Sequence, residues 1–247
     1  MSERIWYLKR LSLFESLPPE QLTRLESRCR IRTFPRGTFV YAPRDSADGV
    51  LLLASGRIEV YTITDDGKRA ILAFIEPGEV FGELAVLGTG TREEYAEACQ
   101  TATVILMPAE AFRELMETHA QVSLAVTKLI GLRRQRLERR LKSLLFRSTR
   151  QRLIHALLDL AEEYGQSTPQ GVELGIRLSH QQLANLIGST RESVTIALGE
   201  LQAEKCLRVG RRRIVLTNLE ALAHAVDVPS PSLASVHHAA KTRSAQT

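Results

Sequence analysis

The 247-residue sequence holds only three cysteines, Cys29, Cys99 and Cys206. Odd in number and far apart, they supply neither a disulfide framework nor a Cys-x-x-Cys metal or redox pair, and they read as buried thiols in a reducing compartment. Also missing is any run of about 18 consecutive apolar residues, which excludes a membrane-spanning helix. The opening residues, MSERIWYLKRLSLF, mix charges among apolar positions and lead to no small-residue cleavage site, so a cytoplasmic protein is expected. Catalytic signatures are absent: there is no P-loop, no GxSxG, no HExxH and no carboxylate pair supported by a histidine. His119, His155, His180 and His224 are scattered and read as surface or core residues of helices, and His237–His238 as a solvated pair without metal-binding company. An enzyme is not expected, nor a resident metal.

What is present begins with charge. Residues 1–117 carry 14 Lys/Arg and 18 Asp/Glu, net −4, whereas residues 118–247 carry 19 and 10, net +9, which together give the formal +5 of the chain. An excess of cations confined to one half is what polyanion binding needs, because each Lys or Arg on a phosphate releases condensed counterions.

The apolar pattern divides the chain as well. PPEQLTRLESR, 18–28, reads as a short helix. From 29 to 107, short apolar runs (TFVYA, GVLLLA, RIEVYTIT, RAILAFI, TATVILM) alternate with turns at 35–37, 55–57, 65–68 and 76–79, the spacing of an antiparallel barrel or roll. RIEVYTITDDGKRAILAFI is the clearest hairpin. After Pro108 the period becomes helical and stays so through 146, with Val126, Ile130, Leu137, Leu141 and Leu144 on a narrow apolar stripe and arginines elsewhere, as in a two-stranded coiled coil. Ser148 or Thr149 caps the next helix, Gly165 ends it, and QSTPQG reads as a loop. The expected parts are a roll over 1–117, a long helix and hinge over 118–147, a third unit over 148–226 and a disordered tail over 227–247.

The third unit contains LSHQQLANLIGSTRESVTIALGELQAEKCLRVGRRRIVLTN, 178–218. Ser179 and Gln182 form a capping box for a short helix, Gly188 permits a sharp turn, and Ser189 (with Glu192) or else Thr190 caps a second helix. Ala184, Gly188 and Val194 have the spacing of a helix-turn-helix, and the segment around Gly210 reads as a basic hairpin, or wing. In that arrangement Arg191, Glu192 and Thr195 face base edges, while Arg208, Arg211, Arg212 and Arg213 run along phosphates and Ser179 and Gln181 lie at the same interface.

FGELAVLGTGTREEYAEA, 81–98, looks built to hold an anion, since a Gly-acidic turn leads into a short helix and Arg92 follows. Taken together, the roll with this cassette, the long helix and the reading head GSTRESV resemble the cyclic-AMP receptor and FNR family of bacterial transcription regulators, over roughly residues 12–222. The fold class is then α+β: a cyclic-nucleotide-binding-like β-roll, a dimerisation helix and a winged helix-turn-helix. The resemblance implies a homodimer on a two-fold symmetric double-stranded DNA site, RNA polymerase as a partner and an activator's role. It places Arg191 and Glu192 as base readers, Ser189 and Thr190 on phosphates, and Ile196 where the family usually has a third reader, an Arg. Ile cannot donate to guanine, so one guanine preference should be lost there.

The resemblance also implies an effector pocket holding Phe81, Gly82, Glu83, Leu84 and Arg92, faced by Leu137 and Glu138 from the long helix. Glu93 stands where cyclic-AMP binders have a hydroxyl, and Leu137 cannot hydrogen-bond a purine, which argues against cyclic AMP. Iron-sulfur and haem ligands are missing. The reading head is similar to that of cyanobacterial nitrogen-control regulators, which bind 2-oxoglutarate; Arg92 with Arg133, Arg134, Arg136 or Arg140 offers cations for such a dicarboxylate. Cyclic di-GMP and no effector at all complete the alternatives. A constitutive regulator of the same fold, and a nucleotide-binding module acting on a protein partner, are the competing functions.

Overall fold

The computed structural model describes residues 14, 17–88, 90–210 and 213–231. The wing-tip Arg211 and Arg212, the His237–His238 pair and most of the expected tail lie outside these residues. The chain divides into two compact units, Met1–Leu137 and Glu138–Thr247.

In the first unit α1 (Pro19–Arg28) precedes β1 (Arg30–Phe34), β2 (Phe39–Tyr41), β3 (Gly49–Ile63), β4 (Arg69–Ile75) and β5 (Val80–Phe81). Then come α2 (Glu83–Leu87), β6 (Tyr95–Pro108), α3 (Ala109–Thr118) and the larger part of α4 (Ala120–Phe146), whose residues from Glu138 on belong to the second unit. The strands are antiparallel in the order β1-β6-β3-β4, with β2 on β6 and β5 on β3. The apolar run at the start of β3 is explained by two cores. Leu51 and Leu53 join Tyr41, Ile58 and Phe81 inside the roll, whereas Val50 and Leu52 turn the other way to meet Leu22, Phe112 and Val122 from the helices. Period-2 alternation makes both faces apolar wherever a sheet is covered on both sides. Each fully buried Leu or Ile contributes about 1.5–3 kcal/mol.

Two expectations change here. The turn expected at 55–57 is a set of register shifts within one long strand, because both halves of β3 pair with the same partner, β6. The helix after Pro108 is broken at His119, whose extended backbone (φ −126°, ψ 95°) separates α3 from α4.

In the second unit, α5 (Thr149–Tyr164) is followed by β7 (Gly165–Thr168), β8 (Gly171–Leu174), α6 (His180–Ile187), α7 (Arg191–Ala203), β9 (Leu207–Gly210), β10 (Arg213–Leu216) and α8 (Leu219–Ala225). Ser148 is the cap of α5, in a capping box with Gln151. The segment read as a loop, QSTPQG, instead forms the β7–β8 hairpin, which completes a sheet ordered β7-β8-β10-β9. Its polar residues carry no alternation, and the strand that stabilises it, β10, lies some 40 residues downstream.

The inward face of α5 carries Leu153, Ile154, Leu157, Leu158 and Ala161. Beside it His155 is half-buried, and its Nε2 has no hydrogen-bond partner among the described residues. Burial, with a smaller effect of the Arg147 cation, pushes its imidazole down to about 4. The unfolded chain therefore takes up a proton near the ordinary histidine value, about 6.5, while the folded chain does not until lower pH. Stability from this group is complete above about pH 6.5 and is lost as pH falls toward 4. His155→Leu should remove this slope, making the variant less acid-sensitive than the parent by about 1 kcal/mol after allowance for partial exposure. Unfolding midpoints of both proteins across that pH range check it; parallel curves would contradict it.

Candidate nucleic-acid interface and regulatory cassette

The interface is assembled by caps and small residues. Ser179 Oγ accepts from Gln182 N–H at 3.2 Å while Gln182 Oε1 accepts from Ser179 N–H at 3.1 Å, closing the start of α6. Gly188 ends that helix with φ 60° and ψ 52°, a left-handed conformation that a β-substituted residue adopts only with strain. The carbonyls left open there, those of Ile187 and Gly188, accept from Arg152 Nη1 at 2.9 and 3.1 Å. Arg152 lies on α5, far from the motif in sequence, and no local signal marks it. Of the two caps left open for α7, Thr190 is the one used: its Oγ1 accepts from Ser193 N–H at 3.2 Å. Ser189 is no cap; it is half-exposed in the turn.

Against α6, the face of α7 that carries Val194, Ala197, Leu198 and Leu201 is buried. The opposite face leaves Arg191, Glu192, Thr195 and Ile196 exposed, Ile196 to 64%. A charged donor, a charged acceptor, a hydroxyl and an apolar tip thus share one strip of a supported helix, the set of groups that reads base edges in a major groove. The Thr195 hydroxyl donates to the Arg191 carbonyl at 2.8 Å and also meets His180 Nδ1 at 2.8 Å. Gln181 is exposed, with its amide donating to Asn185 Oδ1. On the wing, Arg213 is bridged to Glu173 at 2.5 Å on the neighbouring β8, with more than half of its side chain exposed. Arg208 on β9 is exposed.

The cassette is packed differently from the expectation. Arg92 is only 4% exposed. Its Nη1 donates to the Gly82 carbonyl and its Nη2 to the Gly49 carbonyl at 2.5 Å, and the guanidinium lies 4.6 Å from the centre of the Tyr41 ring. Gly82 has φ 70°, and a Cβ there would collide with Arg92 Nη1, so conformation and space both require glycine. Burial lowers the Arg92 pKa, and burial together with Glu94, which accepts from the Tyr41 hydroxyl at 3.0 Å, raises that of Tyr41. Glu83, 2% exposed, accepts from Arg133 Nη1 at 2.8 Å, while Arg133 Nη2 donates to the Val80 carbonyl at 2.5 Å.

Of the expected pocket residues, Gly82 and Arg92 are in direct contact, and the others are placed differently. Phe81 is buried in the roll core, Leu84 is 60% exposed and Glu93 points outward, since neighbours along an extended segment face opposite sides. A cavity of about 320 Å³ does open in the roll, lined among others by Phe34, Tyr41, Asp48, Leu51 and Arg92. Arg92 is the one predicted pocket residue on its wall; Leu137 and Glu138 are not there. The buried polar atoms of the cassette without a partner among the described residues are Arg92 Nε and Glu83 Oε2. Among those residues no three His, Cys, Asp or Glu converge as metal ligands, and no helix is long and apolar enough to cross a membrane.

Two domain families match the chain: the cyclic nucleotide-binding domain over residues 31–119 and the Crp-like helix-turn-helix domain over 151–225. The global nitrogen regulator of Synechococcus elongatus is 30% identical over 196 residues, covering 78% of this chain and 88% of that protein. The chain belongs to the CRP/FNR family of transcription regulators. A CRP-like cAMP-activated global transcriptional regulator of Mycobacterium tuberculosis is 24% identical over 216 residues, 87% of this chain and 96% of that one. The c-di-GMP-responsive global regulator CLP of Xanthomonas campestris superposes with a TM-score of 0.69 at 26% identity, covering 81% and 99% of the two chains. This CRP/FNR protein is thus a DNA-binding transcription regulator and not an enzyme.

The dimer stripe expected on the long helix needs one correction. Val126 is 1% exposed within the core of its own unit, and Ile130 packs partly against that core. Only the later residues, Leu137, Leu141 and Leu144, stand exposed, at 47–56%. The first turns of α4 are used to close the roll.

The Glu83–Arg133 pair is open to test. Arg133→Ala leaves a buried carboxylate without its cation and should destabilise the protein by about 3 kcal/mol. Adding Glu83→Gln should recover most of that loss in a double-mutant cycle followed by denaturant unfolding; additive losses would show the pair to be unimportant.

Proposed function

We propose that the protein is a homodimeric, sequence-specific regulator that binds a two-fold symmetric DNA site and activates transcription with RNA polymerase in the cytoplasm. The observation that carries this reading is the exposed strip Arg191, Glu192, Thr195 and Ile196 on a helix whose other face is fully packed. Apart from the Thr195 hydroxyl, which meets His180 and the Arg191 carbonyl, the strip makes no packing contact with the buried face of α7, and its groups match base edges. Homodimerisation is supported by the row Leu137, Leu141, Leu144 and Leu145, each about half-exposed or more on a helix otherwise rich in arginine.

For the effector, the cassette favours a ligand-independent regulator over one driven by cyclic AMP. One N–H of each Arg92 Nη is held by a main-chain carbonyl, and Glu83 Oε1 is paired with Arg133. A phosphate taking those donors would strand buried carbonyls, at about 1–3 kcal/mol each. Relatives named as cAMP-activated or c-di-GMP-responsive keep cyclic AMP and cyclic di-GMP in the test, with 2-oxoglutarate beside them.

Selection from a random duplex pool without added ligand should enrich a palindrome with half-sites about one helical turn apart. Arg191→Ala should weaken binding to it about tenfold or more. Ile196→Arg should change the preferred base at one position of each half-site. Leu141→Glu should give a monomer in sedimentation and abolish the palindrome. No enriched duplex would defeat the regulator reading; enrichment only in the presence of one of the three small molecules, with heat on its titration, would defeat ligand independence.

A further inference from the structure

His180 is the first residue of α6 and bridges to α7 through Thr195. A threonine hydroxyl has one proton, and that of Thr195 goes to the Arg191 carbonyl. Toward His180 the Thr195 oxygen can then only accept, so Nδ1 carries the proton. A neutral imidazole protonated at Nδ1 has a bare lone pair at Nε2. Nε2, on the far side of the ring from the nitrogen that meets Thr195, makes no hydrogen bond among the described residues.

This ring borders the exposed strip that includes Arg191 and Thr195. The groups flanking a major groove are phosphate oxygens, which take half to two-thirds of protein–DNA hydrogen bonds and are acceptors only. Facing a phosphate, the neutral ring fixed in this tautomer offers lone pair to lone pair; the imidazolium offers an N–H and a positive charge. Resting on the DNA-binding reading, we infer that His180 is a phosphate-contacting residue whose tautomer is set by Thr195, so that DNA binding takes up a proton there. The charged neighbours are few. α6 carries none besides His180 itself, Arg177 lies in the segment before it, and Arg191 and Glu192 stand in the first turn of α7. Arg152 of α5 reaches the other end of α6, at Ile187 and Gly188.

Uptake of one proton per protomer limits the gain to about tenfold per pH unit for each half-site, or about a hundredfold for the dimer. The full chain should therefore bind its selected duplex several-fold tighter at about pH 6 than at about pH 8, where histidines as a class lose their charge. His180→Asn keeps a donor for Thr195 but cannot titrate, and should flatten that ratio. Thr195→Val releases the ring to the other tautomer, which donates from Nε2 without a charge, and should also flatten the ratio even if affinity changes at both pH values. Imidazole nitrogen NMR of the free protein near pH 8 should show the Nδ1–H form of His180. An Nε2–H form, or equal pH ratios in parent and variants, overturns the role of His180 while selective DNA binding stands. Loss of selective binding at every pH in the parent would overturn the regulator reading itself.

Discussion

The antiparallel ladder between β3 and β6 is the constraint from which the rest of the first unit follows. Because β3 is buried on both sides, Val50 and Leu52 belong to one core while Leu51 and Leu53 belong to the other, and a slip of one residue would exchange the two sets. The same register places the Gly49 carbonyl where Arg92 can reach it, and pairs Leu51 with Phe81 at the entrance to the cassette. Register, core and cassette are therefore one specification: Arg92 can hold Gly82 and Gly49 together only if β3, β5 and the segment after α2 are all in place.

What the sequence made legible was whatever local chemistry determines. The Ser179–Gln182 box, the Gly188 turn and the spacing of Val194, Ala197, Leu198 and Leu201 are short-range, and each appears as read. The β3–β4 hairpin was equally plain from its Asp-Asp-Gly turn. Where reading failed, a distant partner decided. Residues 55–57 look like a turn, yet β6 pairs with the chain on both sides of them; Gln166 to Thr168 look like a loop, yet they form the edge of a sheet built on β10. Val126 has the heptad position of a dimer residue but fills its own unit's core, since periodicity shows that a face is buried and not what buries it.

The candidate site divides along the same line. Arg191, Glu192, Thr195 and Ile196 are exposed because the buried face of α7 leaves them no alternative, so amphipathicity alone locates them. The partners of Arg213 and Arg92 could not be read this way: Glu173 faces Arg213 across the sheet, and Gly49 lies 43 residues before Arg92. His180 carries no motif of its own; its significance appears only when Thr195, 15 residues later, is brought beside it.

The cassette finally shows how burial and charge decide what a site can accept. Arg133 bonds one oxygen of the Glu83 carboxylate, and an ion pair this enclosed is stable only while both partners stay. Among the described residues no carboxylate hydrogen-bonds Arg92; its cation is held by two carbonyl dipoles and the face of Tyr41, whose hydroxyl is in turn held by Glu94. Carbonyls and an aromatic face stabilise a guanidinium without neutralising it. The roll therefore keeps a buried positive charge whose donors are already directed inward. An anion can be drawn toward that charge and can hydrogen-bond through Nε or through the second N–H of either Nη, whereas taking over the hydrogens that hold Gly82 and Gly49 would release the carbonyl at the start of β3 and the one just after β5. A ligand that takes the two hydrogens now on Gly82 and Gly49 is thereby coupled to the pairing of β3 with β5.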